Sequence, residues 1–399
     1  MINQNSPEYE KETVILAQID LTTGSIPKTL LRFAFPMICG NLLQQLYNVA
    51  DTLIVGRFLG SDALGAVGSS YTLMTFLTSI LLGLCMGSGA LFSVCWGQRD
   101  LARLRRQTHA AFVLIAVCTV VLNAAAFLLL DAMKTLLSVP AEVWPLMRSY
   151  LFVIFLGIGG TFLYNYYASL LRAVGNSLVP LLFLAAAAVL NIALDLVFVL
   201  VCRWGVEGAA AATVLAQWLS GIGTAVYTLV RCPELRARRE ERRITGSMLR
   251  ELLSASVLTC LQQSVMNLGI LMVQGRINSF GPVIMAAFAA AVKIDSFAYM
   301  PLQDFGNAFS TFIAQNYGAQ QPERIRRGIR TAVILSSVFA VCVSACVVLL
   351  AAPLLGLFLQ PGETEILQAG VTYLRIAGAF YVGIGGLFLL YGLYRAVGR

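Results

Sequence analysis

Long apolar segments restrict the fold of this chain more than any other feature of its sequence. Hydrophobic residues make up 58% of the 399 residues and charged residues only 12%, a balance outside the range of soluble globular domains. Apolar stretches of about 20 residues, the length of helix that crosses the hydrocarbon core of a bilayer, recur about ten times. The sequence therefore predicts an all-α integral membrane protein with the lipid bilayer as its surroundings.

An internal duplication is the second constraint. One segment opens with LRFAFP, passes LLQQ and VGR, and closes with WGQRDLARLRR, and a later one opens with LRELLS, passes CLQQ and QGR, and closes with YGAQQPERIRR. Gln44 thereby corresponds to Gln262, Gly97 to Gly318, and Arg172 to Arg395. Copies with six spans each face the same way, and such parallel repeats form two helical bundles around a cavity. Glycines such as Gly83 and Gly87 are expected to allow close packing of these helices.

The duplication also predicts the domain boundaries. We expect a cytosolic N-terminal tail at 1–28, an N-terminal bundle of spans 1 to 6 at 29–230, an Arg-rich cytosolic linker at 231–250, and a C-terminal bundle at 251–399. In the first copy about 55 residues follow the RAVG signature, whereas the second copy stops there. The comparison predicts that spans 7 to 10 are present and that two helices of the second bundle are missing.

Basic residues indicate which way the chain crosses the membrane. Arginines concentrate in the loops after even-numbered spans, in the ranges 99–106, 231–250 and 324–330. Because short cytoplasmic loops carry an excess of Lys and Arg, these loops and both termini are predicted to be cytosolic. The acidic first residues do not resemble a signal peptide. The net charge of +8 is then a matter of topology, and no nucleic-acid partner is expected.

Ionisable side chains within apolar spans are costly and therefore candidates for function. Asn191 and Asp195, four residues apart, share one face of span five. At about 1.5 Å per residue, Asp51 in span one and Thr213 in span six lie at the same depth, in the outer half of the membrane. These oxygen ligands suit a proton or Na⁺. The alternative is that the two aspartates only cap or tie helices near the outer interface.

Other residues allow two interpretations each. Pro36, in the cytosolic half of span one, is either a hinge or one of the prolines common in membrane helices. Lys293, Asp295 and Asp304 in span eight either line the cavity and contact substrate or pair with neighbours in an irregular helix. Span seven adds polar residues that could line the same cavity: Gln262, Gln263 and Asn267.

Several segments resemble one family. They are FPMICGNLLQQLYNVADTLIVGRFLG in span one, SGALFSVCWGQRD after span two, LLRAVGN after span four, LNIALDLVF in span five, GVEGAAAATVLAQ in span six and FIAQNYGA after span eight. Together they resemble the bacterial branch of the multidrug and toxic compound extrusion transporters. The resemblance runs from about residue 28 to the end and is strongest in the first bundle.

The resemblance implies a twelve-helix antiporter in the bacterial cytoplasmic membrane that exports organic cations or amphiphiles against a proton or Na⁺ gradient. It implies that Asp51 binds the coupling cation together with Asn191, Asp195 and Thr213, and that span one bends near Pro36. The resemblance implies no cofactor, and we expect the protein to be a monomer. NorM-like members hold acids in spans seven and ten, which this chain lacks, so a second-bundle cation site is not expected.

Two other functions were weighed. A lipid-linked precursor flippase of the same superfamily would have more spans and a cationic cavity, for which only Lys293 and Arg375 are available. An intramembrane serine protease would need Ser88 and His109, but Ser88 stands among packing glycines and His109 follows an arginine run that anchors it at the interface. No Gly-x-x-x-x-Gly-Lys loop occurs, so a gradient rather than ATP is the expected energy source.

Overall fold

The computed structural model of the protein describes residues 18–132, 134, 143–278, 280, 282–356 and 364–398. Over these residues the chain is almost entirely helical and has no β-strand, which confirms the predicted all-α class. The helices are α1 (Ile26–Leu59), α2 (Ser61–Gly97), α3 (Leu101–Leu128), α4 (Trp144–Phe155), α5 (Ile158–Ala173), α6 (Leu178–Asp195) with a π-helical extension (Leu196–Val201), α7 (Gly205–Arg231), α8 (Gly246–Asn278), α9 (Pro282–Gly318), α10 (Pro322–Leu349), α11 (Ala351–Gly356), α12 (Thr364–Ala379) and α13 (Tyr381–Val397).

The candidate membrane spans are single apolar helices, bent helix pairs and three more polar helices. Within the described residues, five are long and apolar enough to cross a membrane alone: α2, α3, extended α6, α7 and α10. The bent pairs α4–α5 (45°) and α12–α13 (49°) add two spans if each pair counts as one. Helices α1, α8 and α9 have 34, 33 and 37 residues and could also span, but they are more polar. The ten predicted spans therefore require these three polar helices.

The duplication is visible in the packing. Helix α2 of the first copy packs along α8 of the second. The equivalent pair also packs together: α9 corresponds to α2, α1 corresponds to α8, and α9 packs along α1. Each copy also bends its fourth span, at α4–α5 in the first copy and at α12–α13 in the second. Two parallel bundles related by an approximate two-fold axis follow from these matched contacts. The exact domain boundaries remain a prediction.

Glycines bring the two bundles into backbone contact at the end of the molecule where α1 begins. A Cβ atom added to Gly97 of α2 would lie 2.0 Å from the carbonyl oxygen of Gln315 in α9. The reciprocal contact joins Gly318 of α9 to the carbonyl oxygen of Val94, at 2.1 Å. Gly83 also lies against α8, because its Cβ would be 2.6 Å from the Cα of Cys260. The predicted packing role of these glycines is confirmed.

Helix α1 belongs to both bundles. Its first turns contribute Leu30 and Phe33 to a buried core shared with α9, α10 and α13. Its last turns contribute Ile54 and Val55 to a different core, shared with α2, α4 and α7. The packing partner of α1 thus changes along its length, from the second bundle to the first.

Candidate functional site

Helix α1 carries the first of the predicted site residues. Pro27 lies in the first turn of the helix, where its missing N–H needs no partner, and Gly60, whose φ of 90° suits glycine, follows its last residue. Asp51 lies in its last third, where the helix packs within the first bundle, and is half-buried. Its Oδ1 atom is fully buried and accepts no hydrogen bond from the described residues.

Helix α6 presents two more predicted residues to the same region. Asn191 is 1% exposed and Asp195 is 0% exposed, and their spacing of one turn puts them on one face. Immediately after Asp195 the winding changes from α-helix to π-helix over Leu196–Val201. Such π-helical turns are uncommon and occur frequently at functional sites.

The carboxyl groups of Asp51 and Asp195 are close enough to interact directly. Nevertheless, the Oδ1 of Asp51 and both carboxyl oxygens of Asp195 are buried without a hydrogen-bond donor among the described residues. Two ionised carboxylates offer only acceptors, and burying them unpaired costs on the order of several kcal/mol per charge. The pair therefore fits a proton shared between the carboxyls or a cation bound to both.

Thr213 of α7 completes the group. Asn191 donates a hydrogen bond from Nδ2 to the Thr213 hydroxyl oxygen at 3.3 Å, and its Oδ1 is buried without a donor. All four predicted residues thus lie together, as their depth in the membrane suggested. Among the described residues, no group of three or more His, Cys, Asp or Glu side chains is placed so that it could hold a metal ion. The donor set is therefore two carboxyls, an amide and a hydroxyl, which are hard oxygen ligands that suit Na⁺ or a proton.

Tyr150 is a member of this site that the sequence did not reveal. It lies on α4, the first half of the bent fourth span, with 7% of its side chain exposed and close to both Asp51 and Asp195. A phenol hydroxyl can donate to a carboxylate. In the sequence Tyr150 is one aromatic residue in an apolar stretch, and no spacing links it to the aspartates.

Pro36 lies in the part of α1 that packs on the second bundle, because Met37 directly after it still belongs to that core. The helix continues through it without ending. Leu30 and Phe33 before it pack on the second bundle, whereas Ile54 and Val55 after it pack in the first. Pro36 also lines an apolar groove of about 1100 Å³ beside Pro301 of α9. A proline removes one helix hydrogen bond, so this position suits a change of direction, and its role as a hinge stays a prediction.

Asp295 and Asp304 of the second bundle lie apart from the aspartate pair, and each accepts one hydrogen bond, whereas the Oδ2 atom of Asp304 is buried without a donor among the described residues. Asp295 accepts a hydrogen bond from the hydroxyl of Tyr381 in α13 at 2.6 Å. Asp304 is 2% exposed and accepts one from the Asn41 amide of α1 at 2.5 Å. These two aspartates are two and a half turns apart on α9 and do not share a site. Their contacts correspond to the interpretation in which they pair with neighbours.

The remaining predicted residues are dispersed. Gln263 is buried, Gln262 and Asn267 are half-buried, and Lys293 is exposed, as is Arg375. Ser88 is fully buried, and its hydroxyl shares a hydrogen bond of 3.2 Å with Ser256 of α8, so it joins the two bundles.

Comparison with known sequences identifies relatives over most of the chain. The MatE family model matches residues 36–197 and 255–399. The probable multidrug resistance protein YpnP of Bacillus subtilis is 31% identical over 312 residues, which are 77% of this chain and 68% of YpnP. A second probable multidrug resistance protein of that organism, YoeA, is 27% identical over 347 residues, 85% of this chain and 75% of YoeA.

Solved structures have the same fold. A crystal structure of a mutant of the Vibrio cholerae MATE transporter VcmN matches with a TM-score of 0.89. The match covers 95% of this chain and 85% of VcmN, at 22% sequence identity. The architecture of two helical bundles, and the resemblance inferred from the sequence, are thereby confirmed.

Proposed function

Because this chain belongs to the MatE family, we propose that it exports organic cations and amphiphilic drugs from the cell by antiport against protons or Na⁺. The names of its relatives YpnP and YoeA support the class of substrate. Among the residues of the chain, the aspartate pair in the first bundle carries the proposal. Both oxygens of Asp195 are buried without a donor next to Asp51, which is the arrangement that a transported proton or Na⁺ would complete.

The closed end of the molecule supports alternating access. The bundles touch through Gly97 and Gly318 at the end that carries the arginine clusters, the end that we assign to the cytosol. A cavity between the bundles that is closed there can exchange solutes only with the other side. We infer that the structure represents a state open to the outside, and export needs the opposite state as well.

Cation binding would be coupled to that change through α1. A proton or Na⁺ between Asp51 and Asp195 cancels the repulsion of two carboxylates and lets α1 approach α6. Because the first half of α1 packs on the second bundle and its last turns pack in the first, its movement would reach both bundles. A ligand shifts such an equilibrium only if it binds the two states with different affinities. The ion and the drug should therefore favour different conformations of α1, so that binding of one lowers the affinity for the other.

Ethidium efflux tests this proposal. We would express the protein in bacteria that lack their own exporters and collapse the proton and Na⁺ gradients separately. We expect efflux to stop with one of the two gradients and in Asp51→Asn. The matched control is Asp131→Asn, which neutralises a carboxylate that is 74% exposed and forms a surface ion pair with Arg148; it should behave as wild type.

Two results would overturn the proposal. Wild-type efflux in a well-expressed Asp51→Asn protein would remove the aspartate pair from the coupling mechanism. No ethidium efflux by the folded wild-type protein would favour transport of another amphiphile, such as the lipid-linked precursor of a flippase. Translocation of a labelled lipid-linked precursor in vesicles would then be the next assay.

A further inference from the structure

A short segment before α1 ties the two bundles together. Residues 18–24, which we call the strap, precede the helix at the end where the bundles touch. A turn holds the strap in shape, because the backbone N–H and the hydroxyl of Thr22 both donate to the Asp20 carboxylate, at 2.8 and 2.6 Å. In its middle Leu21 is 0% exposed. The strap is therefore an ordered part of the fold.

The first bundle holds the start of the strap. The side-chain amide of Gln18 donates to the carbonyl oxygen of Val174 at 2.9 Å, and the backbone N–H of Ile19 donates to that of Gly175 at 3.0 Å. The Gly175 backbone has a φ of +90°, and a Cβ there would be 2.1 Å from the Ile19 carbonyl oxygen. Only glycine allows the strap this close to the turn after α5.

The second bundle holds the rest of the strap. Arg324, at the start of α10, donates to the carbonyl oxygens of Leu21, Thr23 and Gly24, at distances from 2.5 to 3.3 Å. The Asn316 amide of α9 donates to the Leu21 carbonyl at 3.1 Å. The Leu21 side chain joins the buried core of the second bundle. One guanidinium thus binds three carbonyl oxygens of the strap.

The residues on both sides come from two of the sequence motifs. Val174 and Gly175 belong to LLRAVGN, and Asn316 belongs to FIAQNYGA. The same motifs also contact each other directly, because Gln315 donates to the Ala173 carbonyl at 2.7 Å. The strap therefore lies over the seam between the bundles and bonds to both edges of it.

A similar arrangement occurs in the second copy. The linker before α8 contacts Arg105 near the start of α3, which forms an ion pair of 2.8 Å with Glu241 and also donates to the Glu234 carbonyl oxygen. In each copy an arginine at the start of the third span thus holds the segment that leads into the first span of the other bundle. Contacts of this kind span the two bundles and are placed to respond when they separate.

We propose that the strap is a latch that stabilises the state in which the Arg-rich end is closed. For this end to open, the strap has to leave one of the bundles. The first bundle holds it by two neutral hydrogen bonds and an Asp20–Arg99 ion pair of 3.6 Å, whose side chains are 42% and 69% exposed and which contributes little. The second bundle holds it by charge-assisted bonds and a buried leucine, which are stronger. The strap should therefore stay with the second bundle and separate from Val174 and Gly175.

Hydrogen–deuterium exchange of the purified protein tests the latch. Arg324→Gln removes the guanidinium that clasps the strap, and we expect amide exchange in 170–177 and 312–319 to become roughly tenfold faster, as local opening costs less free energy. Arg327→Gln, an exposed arginine on the same helix, is the matched control and should exchange like wild type. Equal exchange in the two variants would overturn the proposal.

If Arg324→Gln disturbs the whole fold, amide exchange will become faster throughout α4 and α5. A second variant keeps the test valid in that case. Gln18→Ala removes one hydrogen bond to the first bundle, the one to Val174, and leaves every contact with the second bundle, so we expect faster exchange confined to 172–177. No change there would overturn the proposed direction of release. The effect of the latch on transport rests on the proposed alternating access, but exchange is measured without substrate or gradient. Failure of efflux would therefore count against the proposed function and leave the latch to be judged by exchange.

Discussion

The acidic side chains of the two bundles differ in what surrounds them. In the first bundle, Asp51 and Asp195 lie together, and three of their four oxygens are buried without a donor. In the second bundle, Asp295 and Asp304 lie apart, and each accepts a hydrogen bond from a neighbouring side chain. At the position of α8 that corresponds to Asp51, the second copy has Gly269 and Ile270.

This difference separates two uses of a carboxyl group inside a membrane protein. A carboxylate that accepts a hydrogen bond from a fixed neighbour, as Asp295 and one oxygen of Asp304 do, is stabilised in one conformation and contributes to its stability. A pair without donors is satisfied only when a proton or cation is present, so its environment depends on the transport cycle. The duplication produced two similar scaffolds, and only the first has the pair that a coupling ion would complete.

The largest effect is expected for the aspartate pair. Asp195→Asn leaves one carboxyl and supplies an amide donor to Asp51, so the pair no longer needs an ion. Ion-coupled efflux should fall on the order of tenfold to hundredfold, which is the factor that a typical coupling free energy of about 1–3 kcal/mol between two sites produces. Ethidium efflux and thermal unfolding in detergent measure the loss and check the fold. Wild-type efflux in Asp195→Asn would mean that the two bundles do not differ in this way.

The glycine crossing is a place where the two copies should respond alike. Gly97→Ala and Gly318→Ala each force a Cβ against a backbone oxygen, at 2.0 and 2.1 Å. Each should destabilise the closed state by about 1–3 kcal/mol, the usual cost of overpacking. Thermal unfolding of both variants, with Gly65→Ala in an open position as control, measures this effect. Clearly unequal losses would contradict the approximate two-fold symmetry.

An effect of similar size is expected where Asp304 of the second bundle contacts Asn41 of α1. Asp304→Leu leaves the Asn41 amide buried without its acceptor, which should cost about 1–3 kcal/mol of unfolding free energy. Asp304→Asn keeps an acceptor oxygen and should cost much less. Chemical unfolding in detergent compares the two variants. If both lose the same stability, the charge of Asp304 matters more than its hydrogen bond.

The smallest effect is expected for Asp295. Tyr381→Phe removes its donor and should lower the unfolding free energy by about 1 kcal/mol. Tyr394→Phe, on the same helix and 54% exposed, is the control. Efflux by Tyr381→Phe should keep the wild-type dependence on the coupling gradient. A change in which gradient drives efflux would place Asp295 in the coupling mechanism and remove the contrast between the bundles.

Sequence reasoning predicted what lies within one helix better than what lies between helices. Apolar stretches identified the membrane helices, and the one-turn spacing of Asn191 and Asp195 identified a shared face. Depth along the spans brought Asp51 and Thr213 to the same level. The functional role of these four residues remains a prediction, although the structure places them together.

Contacts between distant helices left no such signal. Tyr150 approaches the aspartates because its span bends, and Asn41 meets Asp304 because α1 crosses to the second bundle. The strap residue Leu21 is buried under Arg324, which is about 300 residues away in the sequence. These contacts depend on crossing angles and loop paths, which hydrophobic periodicity does not encode.

The crossing of Gly97 and Gly318 has an electrical consequence. With backbone against backbone and no side chain between, the seam leaves no room at that point for a file of water molecules along which ions could pass. One charge that leaks across a membrane at 100 mV dissipates about 2.3 kcal/mol. The ion-driven export proposed above requires that ions do not leak at any step of the cycle, and we expect the contact between these two glycines to block such a leak at this point.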